Sequence, residues 1–308
     1  MRLPAGSIAT ALAAVILTGL SGCDKSGSAH QNHQGQAPTT AHRSAKATSA
    51  RRGPHGLVIG IKVDQYGTGH LDVRNYNYSG FDYDVAQYIS EHVFTGDEPF
   101  YLPVSSATRE DALKAGAIKF FVATYTIDQP REAKFEIAGP YLVTVQGVMV
   151  GPHSPVIRNV ADLNGKTVCV VGQGSESEDI LKEYAAGVRP VEAADYSDCT
   201  KELHDGNVQA MSTDQAILYG YLQQKGSTGL RVVPSLTLGN PIYYGIAFRK
   251  TDRQACLRTE NTLIAMTRSD QWDNYFSADL PAYKAAVSND QTQLKPTVQE
   301  IKQNSCVG

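Results

Sequence analysis

Thr124, Thr126 and Arg131 bring two hydroxyls and a guanidinium into one short segment, within the run ATYTIDQPREAKFEIAGPY over residues 123–141. The apolar residues Phe120, Phe121 and Val122 precede it and read as a strand. At strand geometry Thr124 and Thr126 leave on the same face. Asp128 is a residue type that caps helices, Pro130 fits a first helical turn, and Arg131 falls just inside it. Hydroxyls, free amides at the helix start and a guanidinium would then converge on one point. That set suits a small carboxylate, because arginine grips both oxygens and amides add further donors. The competing reading is a strand–turn–helix junction with a surface arginine, and the rest of the chain must decide between them.

Other polar residues occupy similar places. Lys62 follows the apolar run Leu57–Ile61, Ser175 and Glu176 follow Thr167–Val171, and Asp214 follows Val208–Ser212. Tyr196 reads as the end of a further strand, before a helix that begins near Cys199. Helical patterns alternate with these strands: Val85, Ile89 and Val93 share one face, and further helices fit residues 110–115, 178–185, 215–223 and 253–267. Residues 141–150 and 243–248 read as extended crossing segments. The alternation predicts an α/β fold with helices covering the sheet. Ligands of such sheets bind beyond the carboxyl ends of the strands, and two lobes facing each other there would enclose a crevice.

The chain has 308 residues, 42% hydrophobic and 19% charged, with net charge −3, which is ordinary globular composition and long enough for two domains. No clustered basic stripe speaks for nucleic-acid binding. Met1 and Arg2 precede an apolar stretch over residues 5–20, and Leu20-Ser21-Gly22-Cys23 closes it. This reads as a lipoprotein export signal over 1–22, with Cys23 lipidated as the first mature residue, rather than a spanning helix. Residues 23–56 are rich in Ser, Ala, Gln, Thr and His and cannot bury a core, so they read as a flexible tether. His30, His33 and His42 lie there at irregular spacing with no acidic or cysteine partner, so no metal is expected, and no cofactor motif is present.

From residue 57 to about 275 the chain resembles the amino-acid solute-binding proteins of ABC importers (family 3, periplasmic binding protein type 2 fold), and is most similar to the glutamate- and aspartate-binding lipoproteins. The motifs that carry the likeness are Gly80-Phe81-Asp82-Tyr83-Asp84-Val85, the 123–141 block, Gly174-Ser175-Glu176-Ser177, Thr213-Asp214-Gln215 and Tyr243-Tyr244-Gly245-Ile246-Ala247-Phe248. The resemblance implies two α/β domains joined by two crossing strands: a discontinuous first lobe over 57–147 and 244–308, and a second over 148–243. With Cys23 lipidated, Cys169, Cys199, Cys256 and Cys306 remain, and an exported compartment permits disulfides. Of the three pairings four cysteines allow, Cys169–Cys199 with Cys256–Cys306 keeps each bridge inside one lobe.

The resemblance also assigns roles. Arg131 would pair with a ligand's α-carboxylate, helped by Thr124, Thr126 and amides near Ser175 and Glu176, and Asp214 would receive the α-ammonium. A desolvated zwitterion needs both charges paired. Lys62, Arg109 and Tyr196 stand where acidic-amino-acid binders contact the side chain, which implies glutamate first, aspartate next, and glutamine or asparagine after them. Four positions depart from the family pattern: Lys119 and Gln209 replace turn aspartates, Asp128 a capping threonine, and Tyr83 an aliphatic residue. The expected protein is a monomer, tethered by lipid outside the cytoplasmic membrane, that delivers its ligand to an importer permease. A sensing lipoprotein for a membrane receptor is the alternative with the same fold. A dehydratase-like enzyme would need an acid or base in the cleft, for which only Glu176 offers itself, so no catalysis is expected.

Overall fold

The computed structural model describes residues 56–288 and 290–308. The export signal, the lipidation site at Cys23 and the tether histidines lie outside the described residues.

The first lobe opens with β1 (Leu57–Ile61), a small antiparallel sheet of β2 (Asp64–Gln65), β3 (Gly69–Asp72) and β4 (Asn77–Ser79), and helix α1 (Phe81–Val93). It continues through β5 (Pro99–Pro103), α2 (Arg109–Lys114), β6 (Phe120–Thr126), α3 (Gln129–Glu132) and the long β7 (Phe135–Val150). The second lobe holds β8 (Thr167–Val171), α4 (Ser177–Tyr184), β9 (Arg189–Ala193), α5 (Tyr196–His204), β10 (Ala210–Asp214) and α6 (Gln215–Tyr221). A second long strand, β11 (Arg231–Arg249), returns to the first lobe, where α7 (Arg253–Arg268), α8 (Gln271–Asp279), α9 (Pro281–Ala286) and α10 (Val298–Asn304) close the chain.

One sheet runs through both lobes in the order β5-β1-β6-β11-β7-β10-β8-β9. β1 pairs in parallel with β5 and β6, and β8 with β9 and β10, as expected of strands linked by covering helices. β7 and β11 are antiparallel and form the crossing from one lobe to the other. Both are longer than the apolar alternation alone predicts. β7 starts at Phe135, six residues before Tyr141, because nearly its whole length is buried and the pattern there is continuous rather than alternating.

Three apolar clusters support this frame. Phe81 at the start of α1 meets Trp272 and Phe276 of α8 edge-on, at ring-centroid distances of 5.5 and 6.0 Å. Val148, Val168, Val170 and Leu181 centre the second lobe's own core, while Leu113, Ile118, Phe121 and Phe135 pack beneath α2. Burial of each large side chain contributes about 2 kcal/mol relative to exposure. Gly80 makes the entry into α1 possible: at φ 112, a Cβ there would lie 2.4 Å from the Thr68 carbonyl oxygen. Cys169 on β8 is bonded to Cys199 on α5, and Cys256 on α7 to Cys306 after α10, with Cα separations of 5.5 and 6.1 Å.

One expectation is corrected. Tyr196 does not end a strand; β9 stops at Ala193 and Tyr196 is the first residue of α5. Asp195 is the reason, since its carboxylate accepts the Asp198 amide at 2.9 Å and starts the helix earlier than the apolar pattern shows. The two unusual turn residues find partners of their own. Lys119 pairs with Asp252 at 2.6 Å, and the Gln209 side-chain oxygen accepts the Thr167 amide at 3.1 Å.

Candidate functional site

A cleft between the lobes is lined by Arg109, Thr124, Thr126 and Arg131 from the first lobe and by Ser175, Glu176, Tyr196 and Asp214 from the second. Eight of the nine residues singled out from the sequence therefore line one cleft. The ninth, Lys62, lies behind it, with its ammonium 5.5 Å from the Tyr196 ring centroid.

Arg131 reaches the cleft as the sequence pattern requires. Asp128 caps α3 by accepting the Arg131 amide at 2.7 Å, and Pro130 occupies its first turn. The buried guanidinium then donates to the Thr126 carbonyl at 3.0 Å and the Gly174 carbonyl at 3.3 Å. It also pairs with Asp128 at 3.3 Å and with Glu176 of the opposite lobe at 2.6 Å. The Glu176 contact is close but is not a well-angled hydrogen bond.

Arg109 is buried beside it, and its fork is held by backbone. Nη1 donates to the carbonyls of Ala123 and Thr124, and Nη2 to Gly174 at 2.8 Å, which leaves Nε without a hydrogen-bond partner. Both guanidiniums lie on the Tyr125 ring, at 4.6 Å for Arg109 and 4.3 Å for Arg131. An aromatic ring in contact with both cations offsets part of their repulsion. Burial, and then Arg131 itself, push Arg109 down to about 10, so it stays charged at neutral pH.

Lys62 is fully buried. Its ammonium is 3.3 Å from Asp64 and 3.5 Å from the Ser106 hydroxyl. Burial lowers its pKa and Asp64 opposes that shift. Asp64 does more than neutralise the lysine, since its carboxylate accepts the Tyr196 amide at 3.1 Å and its carbonyl accepts the Tyr221 hydroxyl at 2.6 Å. These bonds tie β2 to the second lobe.

The second lobe's polar wall is a hydroxyl chain. Ser175 lies 3.2 Å from the Tyr196 hydroxyl and 3.0 Å from Ser177, which donates to Thr213 at 3.2 Å. Asp214, at the end of β10, accepts the Tyr244 hydroxyl from the crossing strand. Burial raises Asp214 to about 6 while Tyr244 holds it down, so it is an anion at neutral pH. Glu176 is pushed up to about 8 by burial and by a hydrogen bond with Asp128, which together outweigh the pull of Arg131.

Several residues at the site escaped the sequence reading. Tyr125 alternates away from the two threonines, so periodicity places it in the core. Gln65 and Asp82 hold Thr124 from behind, and Tyr244 lies on a strand that reads only as a crossing segment. Their shared signal, hydroxyl, amide or carboxyl groups inside apolar runs, is visible but does not say where they point. Among the described residues one cluster has metal-ligand atom types close together, Glu136, Cys256 and Cys306. Its sulfurs are joined to each other and Glu136 pairs with Arg253 at 2.9 Å. No described helix is long and apolar enough to cross a membrane.

Residues 57–301 match the model of the bacterial extracellular solute-binding proteins, family 3. The chain belongs to this family. Glutamate-binding protein GluB of Corynebacterium efficiens is 33% identical over 232 residues, covering 73% of this chain and 78% of that protein. A glutamine-binding protein of Geobacillus stearothermophilus is 26% identical over 252 residues, covering 82% and 94%. Among solved structures of the fold, an ancestral arginine-binding protein bound to arginine superposes with a TM-score of 0.65 at 28% identity, covering 73% of this chain and 97% of that one. A solute receptor for L-cysteine from Neisseria gonorrhoeae superposes with a TM-score of 0.69 over 79% and 96% at 20% identity, a likeness of fold alone. For a family 3 solute-binding protein, the two lobes and the two crossing strands are the expected architecture, and the cleft described above lies between them.

Proposed function

We propose that this solute-binding protein captures an acidic α-amino acid between its lobes, glutamate before aspartate and then glutamine or asparagine, and delivers it to an ABC importer. The observation that carries the reading is the pairing of opposite charges across one cleft. Arg131 lies on the first lobe, Asp214 on the second, and Thr124, Thr126, Ser175 and Tyr196 fill the polar wall between them. A zwitterion leaving water needs a cation for its carboxylate and an anion for its ammonium, and both are here in buried positions. The GluB likeness supports the acidic preference, and so does Lys62, a buried cation paired with Asp64 and in long contact with Ser106. In this reading Arg109 shapes the wall through its carbonyl contacts, and Lys62 meets the side-chain carboxylate.

Function by binding alone follows from hinge closure about β7 and β11, with the interlobe contacts of Asp64, Gly174 and Glu176 as the closed contacts. The protein turns over no substrate, works as a monomer, and is held outside the cytoplasmic membrane by lipid on Cys23. Calorimetric titration of residues 56–308 with the common amino acids tests the reading. Sub-millimolar binding of glutamate or aspartate, lost in Arg131→Ala and in Asp214→Ala, is the expected result. Binding only of basic or large apolar amino acids would refute it.

A further inference from the structure

We infer that Glu176 sets the affinity of the site by competing with the ligand: its side chain holds the guanidinium that an incoming α-carboxylate must take. The inference rests on the reading that Arg131 receives that carboxylate. Every nitrogen of the Arg131 guanidinium already has a partner: Thr126 and Glu176 on Nη1, Gly174 on Nη2, Asp128 on Nε. With the lobes closed, three of these partners have little freedom to move away. Thr126 and Gly174 offer backbone carbonyls, and Asp128 is committed to capping α3. Glu176 is different. It stands at the N-cap of α4 but makes no side-chain cap bond, and its side chain keeps 30% exposure where that of Arg131 keeps 8%. It is the partner that can leave.

Charge argues that it must leave. Facing Glu176 are Arg131 and Asp128 from α3 and Asp214 from the end of β10, with Arg109 of α2 sharing the Gly174 carbonyl. A ligand carboxylate on Arg131 would need the nitrogen that Glu176 occupies, and once Glu176 is ionised it would add a further negative charge beside it in a buried site, where like charges repel strongly. Binding therefore exchanges one carboxylate for another on the same guanidinium. Free energy gained by the ligand is reduced by whatever Glu176 gave up, and the family's grip on the α-carboxylate becomes tunable at this one position. Since burial and Asp128 keep Glu176 protonated up to about 8, the rival is weaker below that pH and stronger above it.

The test is calorimetric titration of L-glutamate, and of its α-amide L-isoglutamine, into the wild type, Glu176→Gln and Glu176→Thr, with folding of each variant checked by thermal unfolding. At about pH 9, where the rival is ionised, removing it should tighten L-glutamate binding about tenfold in both variants, the scale of one charge-assisted contact. L-Isoglutamine, which lacks the α-carboxylate, should gain nothing. Wild-type affinity for L-glutamate should fall as pH rises through about 8, and the variants should lose that dependence. Equal or weaker L-glutamate binding in both variants, or an equal gain for the α-amide, overturns the inference. Arg131→Ala separates the two claims: if it abolishes binding while the Glu176 variants gain nothing, only the competition is wrong; if it binds L-glutamate unchanged, the function proposed for the site is wrong as well.

Discussion

The carboxylate of Asp82 accepts the backbone amide of Thr124 at 2.7 Å, and Thr124 sits there at φ 45. A β-branched residue in the left-handed region is strained by about 1–2 kcal/mol, so something must hold it. Asp82 does so from the start of α1 while accepting the Tyr141 hydroxyl at 2.8 Å, and the Thr124 hydroxyl donates to Gln65 at 3.2 Å. Strained residues gather at functional sites when the surroundings over-determine them. Here the strain turns a strand end into the wall of the cleft.

Asp82→Ala should therefore act twice. It strands a buried amide and a buried tyrosine hydroxyl, which costs about 2–4 kcal/mol of stability. It also frees Thr124 to relax, so ligand affinity should drop by at least tenfold in molecules that remain folded. Urea unfolding and calorimetry measure the two effects separately; unchanged affinity in a destabilised variant would show that Asp82 serves only the fold.

Asp214 makes a prediction about pH. Burial raises its folded pKa from 3.8 to about 6, so between those values the folded protein binds more protons than the unfolded chain. Stability linked to this group is fully present below about 4 and is lost as pH rises through about 6, a change on the order of 3 kcal/mol. Compared with Asp214→Asn, the wild type should become relatively less stable across that window. Parallel stability–pH curves for the two proteins would contradict this.

Lys62→Met removes a buried charge and shortens the side chain by only one atom. Asp64 would lose its partner, but at partial exposure, and its bond to the Tyr196 amide remains. If Lys62 meets a side-chain carboxylate, glutamate binding should weaken by about a hundredfold and glutamine binding far less. Equal losses for both ligands would mean the lysine supports the loop rather than reading the side chain.

Gly174 is the point where closure is most tightly fitted. Its φ is 77, and a Cβ there would stand 2.1 Å from the Ser106 carbonyl oxygen across the cleft. Gly174→Ala should keep the lobes from seating, because neither atom belongs to a flexible side chain. Affinity should fall by at least tenfold, while small-angle scattering with ligand should show the protein more open than the wild type. A variant that binds and compacts normally would show that the loop can shift to make room.

Much of this protein was determined locally, in features a short stretch of sequence can carry. Asp128, Pro130 and Arg131 specify a capped turn whatever surrounds them, and the structure places that turn as the residue types require. Apolar runs ending in polar residues specify strand ends, which is why Thr124, Ser175 and Asp214 meet in one cleft. Gly80 before Phe81 and Asp82 marks a sharp entry into a helix for the same local reason.

What tertiary structure decided is the state of each charge once it arrives. Arg109 and Lys62 look equivalent in sequence, yet backbone carbonyls occupy the arginine's fork while the lysine keeps a single carboxylate partner. Glu176 looks like a residue that lends an amide, and it also lays its carboxyl group on Arg131 from the opposite lobe. Tyr125 alternates toward the core and ends up beneath both guanidiniums. The reason is one of range. Caps and periodicity act over a few residues along the chain, whereas burial, ion pairing and competition for a donor depend on groups that only the fold brings within a few ångströms.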